Sequence, residues 1–291
     1  MMSMLLACSS SGGDDAGMEA GNDAPGDAED ASAPACDAGS AIGPEGLFEG
    51  ETLTVDGVAR TYVLHAPPSA VAAMTTGCGV ALVIGLHGAG DTATNFLAAT
   101  GLESTAAANG FVLAGPQALS GAWVLSPPQW TSPDGNPTSL QNDIALVQRI
   151  VTETAAAYRI DPARVFVCGL SRGGGFTGLL ATASNNPEAI GGPYASPFAA
   201  YAISAGFDVY AGAVDFSLSS PKNPVWMLHG TADAVIPLSQ GMQFADDLAN
   251  GGWPVTFTPI EGAPHNWLWQ TAYGYSNDDL WSFFASHRAG S

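Results

Sequence analysis

Short apolar runs alternate along this chain with longer segments of helical periodicity. Glu51–Val55 and Ala59–His65 alternate polar and apolar positions around Asp56-Gly57, which predicts a β-hairpin with a tight turn. Gly79–Leu86 is almost continuously apolar, as a strand buried on both faces of a parallel sheet must be. It ends at His87-Gly88-Ala89-Gly90-Asp91. One helix is expected from about Thr94 to Asn109, followed by a strand over Phe111–Gly115. Pro116 to Ser139 reads as a long loop carrying Trp123 and Trp130. Leu140 to Ala157 places Ile144, Val147, Ile150, Val151 and Thr154 on one helical face. Asp161-Pro162 reads as a break before a short buried strand, Val165–Cys168, and a helix from Gly174 to about Ser184. Two further buried strands are expected at Ala199–Ser204 and Val225–His229. A helix over about Leu238–Leu248, a last strand Val255–Ile260 and a closing helix Asp278–His287 complete the pattern.

Strands alternating with helices after an initial hairpin predict an α/β fold. The expectation is one doubly wound, mostly parallel sheet with an antiparallel start, formed by residues 47–291. The short span between the helix after Cys168 and the strand ending at His229 leaves no room for a large lid. Ligand sites in such sheets lie off the carboxyl ends of the strands, where His87, Ser171 and His229 all fall.

Charge changes the picture at the amino end. The net charge is −20, no Lys or Arg precedes Arg60, and Lys222 is the single lysine. Nucleic-acid binding needs clustered cations and is excluded as an expectation. No apolar run is long enough to span a membrane. Leu5-Leu6-Ala7-Cys8 resembles the lipobox of bacterial lipoproteins, whose cysteine is lipidated, and Ser9 resembles the residue that favours outer-membrane sorting. Residues 1–8 would then be a truncated signal, because no basic segment and no full apolar segment precede the cysteine. Residues 9–46 are rich in Ala, Asp, Gly, Pro and Ser and are expected to be a disordered acidic spacer. An extracytoplasmic protein, secreted or anchored only through a lipid on Cys8, is the expectation. Cys36 and Cys78 are candidates for a disulfide, while Cys168 reads as a buried small hydrophobe.

The candidate chemistry centres on Gly169-Leu170-Ser171-Arg172-Gly173. This is G-x-S-x-G between a strand and a helix, the setting in which a serine hydroxyl is held clear at a sharp turn. In a chain with 36 Gly the pattern alone arises by chance in roughly one such sequence in three. A serine nucleophile needs a histidine base, and the base needs a carboxylate. In this fold they follow the serine in the order acid, then histidine. His265, in Glu261-Gly-Ala-Pro-His-Asn-Trp267 after the last strand, fits the base better than His229 at a strand end or His287 in the closing helix. Asp233, in the loop after the His229 strand, fits the acid, with Asp208 and Asp215 as rivals. The amides of Arg172 and Ala89 are the candidate oxyanion donors. His87, Trp130 and Trp267 are candidate substrate contacts, with Trp123 equally suited to packing. No metal and no cofactor is expected.

Several of these segments together carry a resemblance: His87-Gly-Ala-Gly, Asn142-Asp143-Ile, Ile160-Asp-Pro-Ala-Arg-Val165, Gly169-Leu-Ser-Arg-Gly-Gly, His229-Gly-Thr-Ala-Asp-Ala-Val-Ile-Pro237 and Gly262-Ala-Pro-His-Asn-Trp267. From about Arg60 to Asn266 the chain resembles the polyhydroxybutyrate depolymerase and feruloyl esterase group of α/β-hydrolases, which is carbohydrate esterase family 1-like. The resemblance implies secreted, cofactor-free hydrolysis of carboxylic esters, with Ser171 as nucleophile, Asp233 as acid and His265 as base. A monomer acting on an ester substrate, polymeric or plant-cell-wall derived, is the expectation. Arg172 and Gly174-Gly175 depart from many relatives. Two rival classes remain: a serine peptidase of the prolyl oligopeptidase type, for which no added domain is seen, and a non-catalytic surface lipoprotein with a hydrolase-like fold.

Overall fold

The computed structural model describes residues 42–77, 79–125, 130–131, 137–138, 140–189 and 194–290. Cys8, the acidic spacer up to residue 41, both cysteines of the expected disulfide and the side chain of Trp130 lie outside the described residues.

The strands are β1 (Gly46–Val55), β2 (Val58–Ala66), β3 (Val80–Leu86), β4 (Val112–Pro116), β5 (Trp130–Thr131), β6 (Pro137–Thr138), β7 (Ile160–Leu170), β8 (Ala200–Ser204), β9 (Val225–Gly230) and β10 (Val255–Ile260). The helices are α1 (Pro68–Thr76), α2 (Ala93–Ala99), α3 (Leu102–Asn109), α4 (Leu140–Ala157), α5 (Arg172–Thr182), α6 (Leu238–Asn250) and α7 (Asn277–Ala285). Eight strands form one sheet in the order β1-β2-β4-β3-β7-β8-β9-β10, and β5 pairs with β6 separately. The β1–β2 hairpin is antiparallel, β2 is antiparallel to β4, and every remaining pair in the sheet is parallel. This is the doubly wound, mostly parallel sheet with an antiparallel start that the alternation of segments predicted.

Residue alternation builds a core on each face. Along β3, Leu82, Ile84 and Leu86 pack into one cluster with Ile144, Val147, Phe176 and Phe244 from α4, α5 and α6. Ala81 and Val83 point the other way, into a cluster with Phe96, Leu102, Leu280 and Phe284 from α2, α3 and α7. The period of two in the strand thus serves two helical layers at once.

Three elements differ from expectation. The expected helix over 94–109 is two helices, because Gly101 adopts a left-handed φ of 76° that L side chains rarely adopt. Strand β7 begins at Ile160 rather than Val165. Asp161-Pro162 sits in an irregularity where pairing to β3 shifts from Val80↔Ile160 to Leu82↔Val165, so the proline's missing N–H costs no ladder bond. Helix α1, opened by Pro68, was not foreseen. Between Thr182 and Ala200 the described residues contain a single bridge, Ser184 to Tyr194, and no helix.

A buried polar cluster joins the first strands to α4. Arg60 on β2 is 1% exposed; its guanidinium donates to Asn142 Oδ1, to Asp143 Oδ1 at 2.8 Å and to the Gln117 carbonyl at 3.2 Å. Asp143 Oδ2 accepts the Val124 N–H at 2.9 Å, and Asn142 Nδ2 donates to the Val55 carbonyl at 2.9 Å. Burial pushes the Asp143 carboxyl up, and the Arg60 charge and the Val124 N–H pull against it. Removing one partner of such a pair strands the other charge in a dry site. Arg60→Met is therefore expected to lower unfolding stability by about 3–5 kcal/mol in urea titrations; a loss near zero would show that Asp143 does not need its partner.

Candidate active site

Strand β7 delivers Ser171 at its carboxyl end, and α5 starts at the next residue. Ser171 has φ 57° and ψ −119°, a strained conformation for a residue with a side chain. Close backbone packing around it admits only glycine. A Cβ at Gly169 would lie 2.3 Å from the Gly173 carbonyl oxygen, and a Cβ at Gly173 would lie 2.2 Å from the Leu86 oxygen. The two glycines of G-x-S-x-G are therefore required by contact distances as well as by the turn. Helix α5 opens with Gly175 N–H donating to Ser171 O at 2.8 Å. The amide of Arg172 lies in the first turn, where helix geometry provides no carbonyl acceptor.

The turn after β3 runs past the serine. A Cβ at Gly88 would approach Ser171 Cβ to 3.6 Å. Asp91 N–H donates to the Gly88 carbonyl at 3.3 Å, and Gly90 N–H to the Gly121 carbonyl at 2.8 Å, leaving Ala89 exposed at the turn. His87 does not face this turn's open side. It is fully buried; its Nδ1 bonds the Gly88 carbonyl at 2.7 Å, and its Nε2 accepts the Ala118 N–H at 3.1 Å. It holds the turn from beneath, which corrects its expected role as a substrate contact. Burial lowers its pKa, in keeping with a neutral ring whose Nε2 accepts a hydrogen bond.

Asp233 and His265 meet directly. Asp233 Oδ2 and His265 Nδ1 are 2.7 Å apart, the carboxylate side chain fully buried and the imidazole 18% exposed. A carboxylate only accepts, so Nδ1 carries the hydrogen and Nε2 keeps the lone pair a general base needs. Asp233 Oδ1 accepts the Val235 and Ile236 N–H groups, each at 2.8 Å. Burial alone would raise the Asp233 carboxyl. The bonds from His265, Ile236 and Val235 outweigh it and hold the group below the ordinary aspartate range. The acid loop and the base loop are zipped together: Thr231 N–H donates to Ile260 O at 2.9 Å, Ala232 N–H to Ala263 O at 3.1 Å, and Gly262 N–H to Thr231 Oγ1 at 2.8 Å. A Cβ at Gly230 would lie 2.1 Å from the Ala263 oxygen, so the glycine of His229-Gly230 permits this approach.

Ser204, at the end of β8, ties the serine to the base loop. Its carbonyl accepts the Ser171 N–H at 2.9 Å. Its hydroxyl donates to the Asn266 carbonyl at 2.8 Å and accepts the Leu268 N–H at 3.1 Å. Sequence reasoning missed this residue; the available signal was a polar residue closing an apolar strand. The remaining candidates lie elsewhere. Asp208 binds the N–H groups of Tyr210 and Gly212, and Asp215 that of Ser217, all in their own loops. His287 bonds Phe283 O within its own helical turn. Trp267 is 1% exposed, edge-on to Phe96, with its indole N–H on Asn277, so it packs the core instead of contacting substrate. Trp123 is likewise buried, stacked on Phe176. The Arg172 side chain donates from Nε to the Trp123 carbonyl at 2.6 Å. Among the described residues, no group of three or more His, Cys, Asp or Glu is gathered to hold a metal.

A strained serine elbow between strand and helix, with an Asp-paired histidine on a neighbouring loop, defines the site of an α/β-hydrolase. The family model described as esterase PHB depolymerase matches residues 60–214, just over half of the chain, and the chain belongs to that family. Feruloyl esterase B of Neurospora crassa is 33% identical over 103 residues, covering 35% of this chain and 34% of that protein. Poly(3-hydroxyalkanoate) depolymerase C of Paucimonas lemoignei is 28% identical over 219 residues, covering 66% of this chain and 51% of that protein. The alignments thus span a third to a half of the length of these curated relatives. A truncated carbohydrate esterase from gut microbiota shares the fold with a TM-score of 0.59 at 16% identity, over 83% of this chain and 96% of that one.

The lowered Asp233 carboxyl has a defined consequence for pH. A depressed folded-state pKa contributes stability above the unfolded value, about 3.9, that is lost as pH falls through the folded value. Urea unfolding of the wild type and Asp233→Asn is expected to show a difference that is constant from about pH 5 to 7 and shrinks below about pH 4. A difference that grows towards acid pH would contradict the assignment.

Proposed function

We propose that the protein is a serine carboxylic-ester hydrolase acting through an acyl-enzyme on feruloyl, polyhydroxyalkanoate-type or related acyl esters. The observation that carries this is the attachment of a strained Ser171 and the Asp233-paired His265 loop to one residue, Ser204. In this reading His265 Nε2 removes the Ser171 hydroxyl proton as Oγ attacks the ester carbonyl. Asp233 holds the imidazole in the required tautomer and stabilises the imidazolium. The N–H groups of Arg172 and Ala89 receive the oxyanion. His265 then protonates the departing alcohol, water attacks the acyl-enzyme, and the acid leaves. Family membership, together with a feruloyl esterase and a polyhydroxyalkanoate depolymerase among the relatives, supports the substrate class.

The test is a panel of methyl ferulate, short p-nitrophenyl esters, acetylated xylan and polyhydroxybutyrate. The wild type turns over at least one of them, and Ser171→Ala lowers kcat by about 10⁶-fold. Ser171→Gly is equally inactive yet about 1 kcal/mol more stable, because relief of the φ strain exceeds the added chain entropy of glycine. Full activity in Ser171→Ala sinks the reading.

The acidic segment ahead of the catalytic fold and Leu5-Leu6-Ala7-Cys8 support an extracytoplasmic location with a lipid on Cys8. Cys8→Ala should move the expressed protein from the membrane to the soluble fraction; an unchanged distribution would exclude the anchor.

A further inference from the structure

His229 is invisible to the mechanism above, yet it stands against the acid. It closes β9, is fully buried, and places Nε2 2.8 Å from the Ile236 carbonyl and 3.5 Å from Asp233 Oδ2. Oδ2 is the same oxygen that receives His265 Nδ1 at 2.7 Å. The Ile236 carbonyl can only accept, so Nε2 of His229 carries the hydrogen and donates it there. Nδ1 of His229 is buried and has no hydrogen-bond partner among the described residues. The ring lies instead against α6, where a Cβ at Gly241 would approach Nδ1 to 2.3 Å.

We propose that His229 is a positioning residue that aims the Asp233 carboxylate at His265. The chain of contacts is short. His229 holds the Ile236 carbonyl; the Ile236 N–H holds Asp233 Oδ1; Oδ1, fixed there and by Val235 N–H, leaves Oδ2 directed at His265. The second imidazole N–H beside Oδ2 adds a positive dipole end at a carboxylate whose side chain is fully buried. Helix α6 completes the device, since only glycine at position 241 lets the ring sit there.

This inference rests on the proposed Ser-His-Asp reading, and its test separates the two. His229→Leu removes the donor, and His229→Gln restores an N–H at similar reach. With p-nitrophenyl acetate, His229→Leu is expected to lower kcat by about 10–100-fold with KM within about twofold, the signature of misaligned chemistry without loss of binding. His229→Gln should recover most of that loss. The proton NMR spectrum of the full chain supplies a second reading. The downfield His265 Nδ1–H resonance of the wild type should weaken or vanish in His229→Leu and return in His229→Gln. Gly241→Ala, which keeps His229 but displaces its ring, should reproduce the loss in kcat. Wild-type kcat and an unchanged resonance in His229→Leu overturn the proposal. So does a loss in His229→Leu that His229→Gln does not rescue. If His229→Leu fails to fold, His229→Gln and Gly241→Ala decide. If the wild type hydrolyses no ester, the hydrolase reading fails, and the resonance comparison still decides the role of His229.

Discussion

The backbone at Ser171 is the constraint on which the rest depends. A side-chain-bearing residue held at φ 57° and ψ −119° costs on the order of 1–3 kcal/mol and persists only where its surroundings overdetermine it. Here they do so through contact. Gly169 and Gly173 bring β7 and α5 together, Gly173 touches the end of β3, and the Ser171 N–H is held by Ser204 on β8. Three adjacent parallel strands therefore converge on one residue. The strain is sustained by the central sheet, whose strand interiors are almost entirely buried.

Rigidity at the elbow is useful only if the turn after β3 is equally fixed. The loop following β4 fixes it from several directions. Trp123 donates its indole N–H to the His87 carbonyl and accepts Arg172 Nε at its own carbonyl. The next residue, Val124, is pinned by Asp143, which is paired in turn with Arg60. A buried ion pair is weak evidence for stability, because desolvation offsets much of the attraction. Its position here suggests a geometric role instead. It joins β2 and α4 to the loop whose Trp123 bonds the His87 carbonyl and the Arg172 side chain.

Much of this was legible in the sequence where local pattern and contact coincide. The Asp-Gly hairpin, the continuous apolar run of β3, the periodic face of α4 and the G-x-S-x-G elbow each declare themselves within a few residues. The pairing of Asp233 with His265 follows from chain order, since their loops leave neighbouring parallel strands. What escaped was long-range. Ser204 looks like an ordinary strand end, and its importance comes from what it reaches along the chain, Ser171 on one side and Asn266, 62 residues away, on the other. The break at Gly101 was masked by helix-forming residues on either side. Trp267 read as cleft-lining because a large aromatic near a site suggests a ligand, and Trp123 was left between cleft and core; the packing puts both in the core.

The packing of the two tryptophans bears on the loops around Ser171. Trp123 packs against His87, before the turn that carries Ala89, and Trp267 follows the loop that carries His265, next to Trp269. Their large apolar areas anchor these loops to the core. Removing either would loosen the turn after β3 or the loop that carries His265, so both indoles belong to the scaffold that holds these loops beside Ser171.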